Sequence, residues 1–150
     1  MLIDRVSEKN AILELLFQFD IVFPHLKEKI DDYSEYAEKL QKNALVFTAT
    51  ENNSVCGMMV FYANDTVTKT SYLSLIGLLP HAQGRNIGAN LMNFWENYSS
   101  NAGMQKLKLE VDTDNIHAIN FYKKHNFSCM NKKNDNSFYM EKNIGGLNIG

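Results

Sequence analysis

The sequence predicts a mixed α/β (α+β) fold, one sheet with helices against it, in the order βααβββαβαββ. Three observations carry this expectation. The chain has 150 residues, 45% of them hydrophobic and 21% charged, the size and balance of one globular domain. Its apolar residues recur with period two in some stretches and with helical spacing in others. No internal repeat or linker divides it, so residues 1–143 are expected to form a single domain and 144–150 a flexible tail.

The elements follow in order. Leu2–Val6 reads as a first strand, and Ser7 is expected to cap a helix carrying Ile12, Leu13, Leu15, Leu16 and Phe19 at helical spacing. Pro24 breaks that helix. A second helix over Asp31–Lys42 places Tyr33, Tyr36, Ala37 and Leu40 on one face. Strands are expected at Ala44–Glu51 and Val55–Ala63, joined by Asn52-Asn53-Ser54, because asparagine tolerates the positive φ of a hairpin turn. Thr70–Leu79 is a further strand, ended by Pro80. A long helix runs from about Ile87 to Asn101, where Gly103 stops it. Leu107–Val111 alternates with period two, sending Lys108 and Glu110 to one face and Leu107, Leu109 and Val111 to the other. A helix over Asn115–His125 and two closing strands, Phe127–Lys132 and Ser137–Lys142, complete the chain.

Composition excludes several classes. A formal net charge of −2 supplies no basic field for nucleic acid or an anionic membrane. No apolar run reaches the length of a membrane span, and Met1-Leu2-Ile3-Asp4-Arg5 does not read as a signal peptide. Cys56 and Cys129 are expected to be buried free thiols, which points to the cytoplasm. No His/Cys/carboxylate spacing suggests a metal site, and His81 and His117 read as surface residues.

The most informative stretch is Leu78-Leu79-Pro80-His81-Ala82-Gln83-Gly84-Arg85-Asn86-Ile87-Gly88. A strand ends, a glycine-containing turn follows, and a helix begins at once. The leading N–H groups of a helix lack internal partners and, with the helix dipole, offer a seat for an anion. Gly84 and Gly88 let backbone approach a diphosphate closely, and Arg85 can add a charge-assisted contact. The spacing fits neither a Rossmann loop nor a P-loop, which would need G-x-G-x-x-G or a Gly-Lys-Ser/Thr ending.

A second constellation, Asn115-Ile116-His117-Ala118-Ile119-Asn120-Phe121-Tyr122-Lys123-Lys124-His125-Asn126-Phe127, joins the first. Together with Pro80…Gln83-Gly84-x-x-Ile87-Gly88 it closely resembles the GNAT N-acetyltransferase superfamily. That family's motif A carries a Q/R-x-x-G-x-G/A loop and its motif B reads N-x-x-A-x-x-F-Y-x-x-x-G-F. The resemblance implies that strands four and five splay apart, with the pantetheine arm of acetyl-CoA lying between them against backbone at Leu78 and Leu79. Pro80 would mark the exit to the phosphate loop. Residues Gln83, Gly84, Arg85, Asn86, Ile87, Gly88 and Ala89 would hold the diphosphate, and Asn115 the pantetheine arm. Asn86 and Asn126 stand where the family has glycine, and asparagine is the residue best able to keep a positive φ there.

The implied reaction is transfer of an acetyl group to a primary amine of a small molecule, aminosugar or peptide. An amine with a pKa near 10.4 is unprotonated in about one molecule in 2,500 at pH 7, so a base or a water chain to one has leverage. The oxyanion needs an N–H donor, for which Leu78 is the candidate. Tyr122 occupies the family's position for donating a proton to the leaving sulfur, and it would also contact the cofactor. Glu110 is the candidate base, since Glu110…Asn115…Tyr122 resembles the spacing in ribosomal-protein N-terminal acetyltransferases. Asp112 departs from the arginine-like residue of that subgroup. The acceptor pocket would draw on Phe17, Phe19, Phe23, Tyr33, Tyr36 and Tyr62, with Asp20, Asp31, Asp32 and Glu35 favouring a cationic amine. The alternatives are a protein N-terminal or lysine acetyltransferase and a non-catalytic acyl-CoA-binding module, in each case a monomer or homodimer.

Overall fold

The computed structural model describes residues 1–145, so the expected tail lies outside the described residues from 146 onward. Ile144 and Gly145 are still tied down, both N–H groups donating to the Gln105 carbonyl. Seven strands form one mixed sheet in the order β1-β2-β3-β4-β5-β7-β6. The strands are β1 (Leu2–Arg5), β2 (Leu45–Glu51), β3 (Ser54–Asp65), β4 (Thr70–Leu78), β5 (Lys106–Asp112), β6 (Ser128–Lys132) and β7 (Ser137–Asn143). The helices are α1 (Lys9–Gln18), α2 (Leu26–Lys29), α3 (Tyr33–Asn43), α4 (Ile87–Asn101) and α5 (Ile116–Lys124). The element order agrees with expectation except for α2, whose single turn is too short to leave a periodic signature.

Contacts gather the chain into two compact units, Met1–Tyr62 with Leu75–Leu91, and Ala63–Ser74 with the residues from Met92 onward. In the first, α1 buries Ile12, Leu15 and Leu16 and α3 buries Tyr33, Ala37 and Leu40. They join Val46, Met58 and Val60 of β2 and β3 in one apolar core. Asp32 caps α3 by accepting from the N–H groups of Ser34 and Glu35. The expected cap of α1 is corrected: Glu8 stands at the N-cap with no side-chain bond, and the Ser7 carbonyl accepts from Gln41 Nε2 instead. Helix α1 ends at Gln18, well before Pro24. The β2–β3 hairpin turns through Asn52 and Asn53 at φ of 51° and 64°, the left-handed pair that a two-residue hairpin needs.

In the second unit β5 alternates buried and open positions, with Leu107, Leu109 and Val111 on the buried face and Lys108 and Glu110 on the other. Trp95 of α4 is fully buried, donates its indole N–H to Ser71 Oγ at 2.9 Å and stacks on Phe127 at 5.8 Å. Strand β6 lies at the sheet edge with all five residues exposed. That placement corrects one expectation: Cys56 is buried but Cys129, on β6, is exposed, and both are free thiols.

Strands β4 and β5 run parallel, and their register joins Thr70–Leu73 to Lys106–Leu109 only. Strand β4 nevertheless continues to Leu78 and β5 to Asp112.

Candidate active site

In the first unit β4 delivers the chain into a tight loop. Leu79 is followed by a 3-10 turn over Pro80–Ala82, then Gln83, and α4 opens at Ile87. Buried Ala82 and Ile87 pin the loop at both ends, while Gln83, Gly84, Arg85 and Asn86 between them are exposed. Gly84 takes φ +84° and Asn86 φ +62°. Asparagine thus holds the left-handed backbone expected of the family's glycine. The first backbone donation into α4 runs from Asn90 to the Asn86 carbonyl at 3.1 Å. The N–H groups ahead of it, from Gly84 to Ala89, find no backbone acceptor among the described residues. A Cβ placed on Gly84 would meet nothing within 4 Å, so the loop borders open space at that residue. This donor set fits a diphosphate. The Arg85 guanidinium is held by Glu51, Nη2 to Oε1 at 2.7 Å, a partner 34 positions away that no sequence pattern announces.

The backbone of β4 shows which groups are available beside this loop. The Leu79 N–H donates to the Cys56 carbonyl on β3 at 2.9 Å. Successive N–H groups of a strand point to opposite sides, so the Leu78 N–H points away from β3. On that side the ladder has already ended at Leu73. Of the two residues expected to face a ligand, Leu78 therefore offers its donor and Leu79 does not. The Leu78 carbonyl has one long contact, from Gln83 Nε2 at 3.5 Å.

The second unit carries the other candidate groups. Asn115, an exposed residue, caps α5, its Oδ1 accepting from the Ala118 N–H at 3.2 Å, which engages the side-chain oxygen and not the amide NH2. Asn126 ends the helix at φ +70°. The Phe127 N–H reaches the Tyr122 carbonyl at 3.1 Å and the Asn126 N–H the Lys123 carbonyl at 2.9 Å, the Schellman pattern. This turn sets Phe127 beside Tyr122, with ring centroids 6.1 Å apart, and Phe121 flanks Tyr122 at 5.5 Å. Burial pushes the Tyr122 phenol up to about 12. Its hydroxyl makes no hydrogen bond to any described residue, and no buried side-chain polar atom there lacks a partner. The phenol is therefore protonated at neutral pH and able to donate.

Glu110 is more heavily engaged than expected. Its Oε1 pairs with Lys133 Nζ at 3.0 Å and its Oε2 accepts from Ser137 Oγ at 2.8 Å. The carboxylate holds the Lys133 ammonium above its ordinary pKa. Tyr72, on the neighbouring strand, is pushed up to about 12 by burial, with Glu110 and Tyr139 adding to the shift. The same sheet face presents Lys108, whose Nζ lies 4.2 Å from the Tyr139 ring centroid.

Some expected acceptor residues do gather in the first unit. Phe17, Asp31, Asp32 and Tyr33 line a cleft of about 660 Å³ with Leu13, Ile30 and Lys27. Asp32 is used by the α3 cap. Asp20 accepts from the Tyr33 hydroxyl at 2.7 Å and pairs with Lys27 at 2.7 Å. The Lys27 bond, then the Tyr33 bond, hold its carboxyl below the usual range, while burial and Asp20 push Tyr33 up to about 12. Phe19 is wholly in the core. His81 and His117 are exposed. Among the described residues no group of His, Cys or carboxylates gathers to hold a metal, and no helix is long and apolar enough to cross a membrane.

Sequence reasoning passed over Gly77, which is buried in β4. A Cβ there would lie 2.7 Å from Phe23 Cζ and 2.9 Å from Val22 Cγ1. A glycine inside a strand pattern is itself a sign of such close approach.

The family model described as "Acetyltransferase (GNAT) family" matches residues 10–127, a stretch that runs through both units. Among curated proteins none matches the sequence significantly. Solved structures share the fold at low identity. A ribosomal-protein alanine N-acetyltransferase from Escherichia coli superposes with a TM-score of 0.75 at 19% identity, covering 99% of each chain. An aminoglycoside 6'-acetyltransferase gives 0.78 at 18%, covering 97% of this chain and 99% of its own. The PaiA N-acetyltransferase from Thermoplasma acidophilum, solved with coenzyme A, gives 0.72 at 20%, covering 95% and 99%.

Proposed function

The chain belongs to the acetyltransferase (GNAT) family, and on that premise we propose that it transfers the acetyl group of acetyl-CoA directly to a primary amine on a small molecule, aminosugar or peptide. The observation that carries this reading is the run of unpaired backbone N–H groups from Gly84 to Ala89 at the head of α4. Such a run binds a diphosphate through backbone alone. Acetyl-CoA supplies an activated thioester; the rest is the work of this chain's residues. Leu78 offers its N–H to the oxyanion. The amide NH2 of Asn115 holds the pantetheine arm, and Tyr122 donates to the departing sulfur. Glu110, or a water chain leading to it, takes the amine's proton. We read residues 1–143 as one catalytic domain acting in the cytoplasm.

Two measurements test the reading. Calorimetric titration with CoA and acetyl-CoA should show binding at one site per chain, and absence of binding would end the proposal. Release of free CoA thiol should then depend on the amine in a panel spanning aminoglycosides, polyamines and peptides with a free N-terminus. Binding without amine-dependent release would identify an acyl-CoA-binding module. A response confined to peptides or proteins would identify a protein acetyltransferase.

The loop permits a narrower test. Asn86→Gly should leave acetyl-CoA turnover intact or raise it, because glycine adopts φ near +60° at no steric cost. Steady-state kinetics check this. A large loss of affinity would mean that the loop uses the Asn86 side chain and not only its backbone.

A further inference from the structure

We propose that Phe23 is a specificity-determining residue that limits the acyl group to about the size of acetyl, by roofing the β4 backbone at Gly77 immediately before the Leu78 N–H. The inference rests on the acyl-transfer reading above, in which that N–H receives the thioester oxygen.

Side chains alternate along β4. Leu75 and Leu79 face the apolar core formed with α1 and α3, whereas the Leu78 side chain faces the other way, its Cδ2 3.0 Å from where a Gly57 Cβ would stand. Gly77 falls on the face of Leu75 and Leu79 and has no side chain to fill its place. The turn after α1 fills it, with Phe23 Cζ at 2.7 Å and Cε1 at 2.9 Å from the missing Cβ. The ring thus lies directly on the peptide that leads into Leu78. An acyl carbon whose oxygen is bonded by the Leu78 N–H must extend its chain beside this wall, and each added methylene meets the ring.

The wall is fixed in place by its backbone and its neighbours. The Val22 N–H donates to the Phe19 carbonyl at 2.8 Å, the Phe23 N–H to the Phe19 and Asp20 carbonyls at 3.2 and 3.3 Å, and the Leu26 N–H to the Phe23 carbonyl at 3.0 Å. The Phe23 ring stacks on buried Phe19, centroids 6.4 Å apart. Asp20, inside the turn, is anchored by Tyr33 and Lys27. A wall so tied down cannot yield cheaply to a longer chain, and rigid surroundings are what turn a small size difference into discrimination.

The test compares kcat/KM for acetyl-, propionyl- and butyryl-CoA in the wild type, Phe23→Ala and Phe23→Leu. The wild type should prefer acetyl-CoA. In Phe23→Ala the ratio of butyryl to acetyl activity should rise by about tenfold or more, the scale of a methylene's fit in an apolar pocket, with Phe23→Leu intermediate. A merely structural role for the ring would lower all three rates together and leave the ratio unmoved. Should Phe23→Ala fail to fold, Phe23→Leu decides by the same ratio. An unchanged ratio in a variant that still turns over acetyl-CoA overturns the gate alone. A wild type that does not bind acetyl-CoA overturns the acyl-transfer reading and the gate with it.

Discussion

Replacing Tyr122 by phenylalanine should lower kcat about 10- to 150-fold while leaving the dissociation constant for acetyl-CoA within about twofold. The range is that of a hydrogen bond to a charged group, about 1.5 to 3 kcal/mol. The phenol is held near 12 by burial, whereas an ordinary alkyl thiol lies near 8.5. Full proton transfer to a free thiolate would be uphill by about 5 kcal/mol on that difference. Tyr122 therefore works chiefly by donating a hydrogen bond to sulfur as negative charge builds there. Its hydroxyl is available because no described residue uses it. The variant keeps the ring that rests on Phe127 and Phe121, so the fold should be unaffected. A further consequence is that the wild-type pH–rate profile should show no falling limb from this group below about pH 11. An unchanged kcat in Tyr122→Phe would remove it from the mechanism.

The second large effect concerns the loop. Asn86→Asp keeps the side-chain shape while placing a carboxylate at the head of α4. At about 6 Å from two phosphate charges, with an effective dielectric of 40 to 80, the repulsion is about 1.4 to 2.8 kcal/mol. That corresponds to about a 10- to 100-fold rise in the CoA dissociation constant, measured by titration calorimetry. Added salt should narrow the gap, since the loop is exposed. Thermal stability should not fall in parallel, because a carboxylate is favoured at a helix N-terminus. The pairing with Asn86→Gly isolates charge from shape. Equal affinities for Asn86→Asp and the wild type would place the diphosphate elsewhere.

The features legible in advance were those that a short window of residues encodes. Asn52-Asn53 announced its hairpin because few residues accept two successive positive φ values. Helix α4 was bounded at Ile87 and Asn101 by the loop before it and Gly103 after it. Asn86 and Asn126 both take the left-handed conformation, as their standing in for glycine required. The alternation of β5 sorted its two faces correctly. Where the window was too short or the signal local only in appearance, the reading failed. The single turn of α2 has no period to detect, Ser7 lost the cap to Glu8, and Cys129 was exposed by the edge position of β6.

The sequence by itself determined the family, the order of elements apart from α2, and the loop whose backbone amides stand unpaired, because all three are written in motif spacing, periodicity and the φ preferences that each residue carries with it. Tertiary structure alone decided what those groups touch. It tied Arg85 to Glu51, engaged Glu110 with Lys133 and Ser137, and aimed the Leu78 donor away from β3 while Leu79 was spent on Cys56. It also laid Phe23 on Gly77. These contacts join residues tens of positions apart, and nothing in the spacing of either partner encodes the other; only the closing of the chain on itself brings them together.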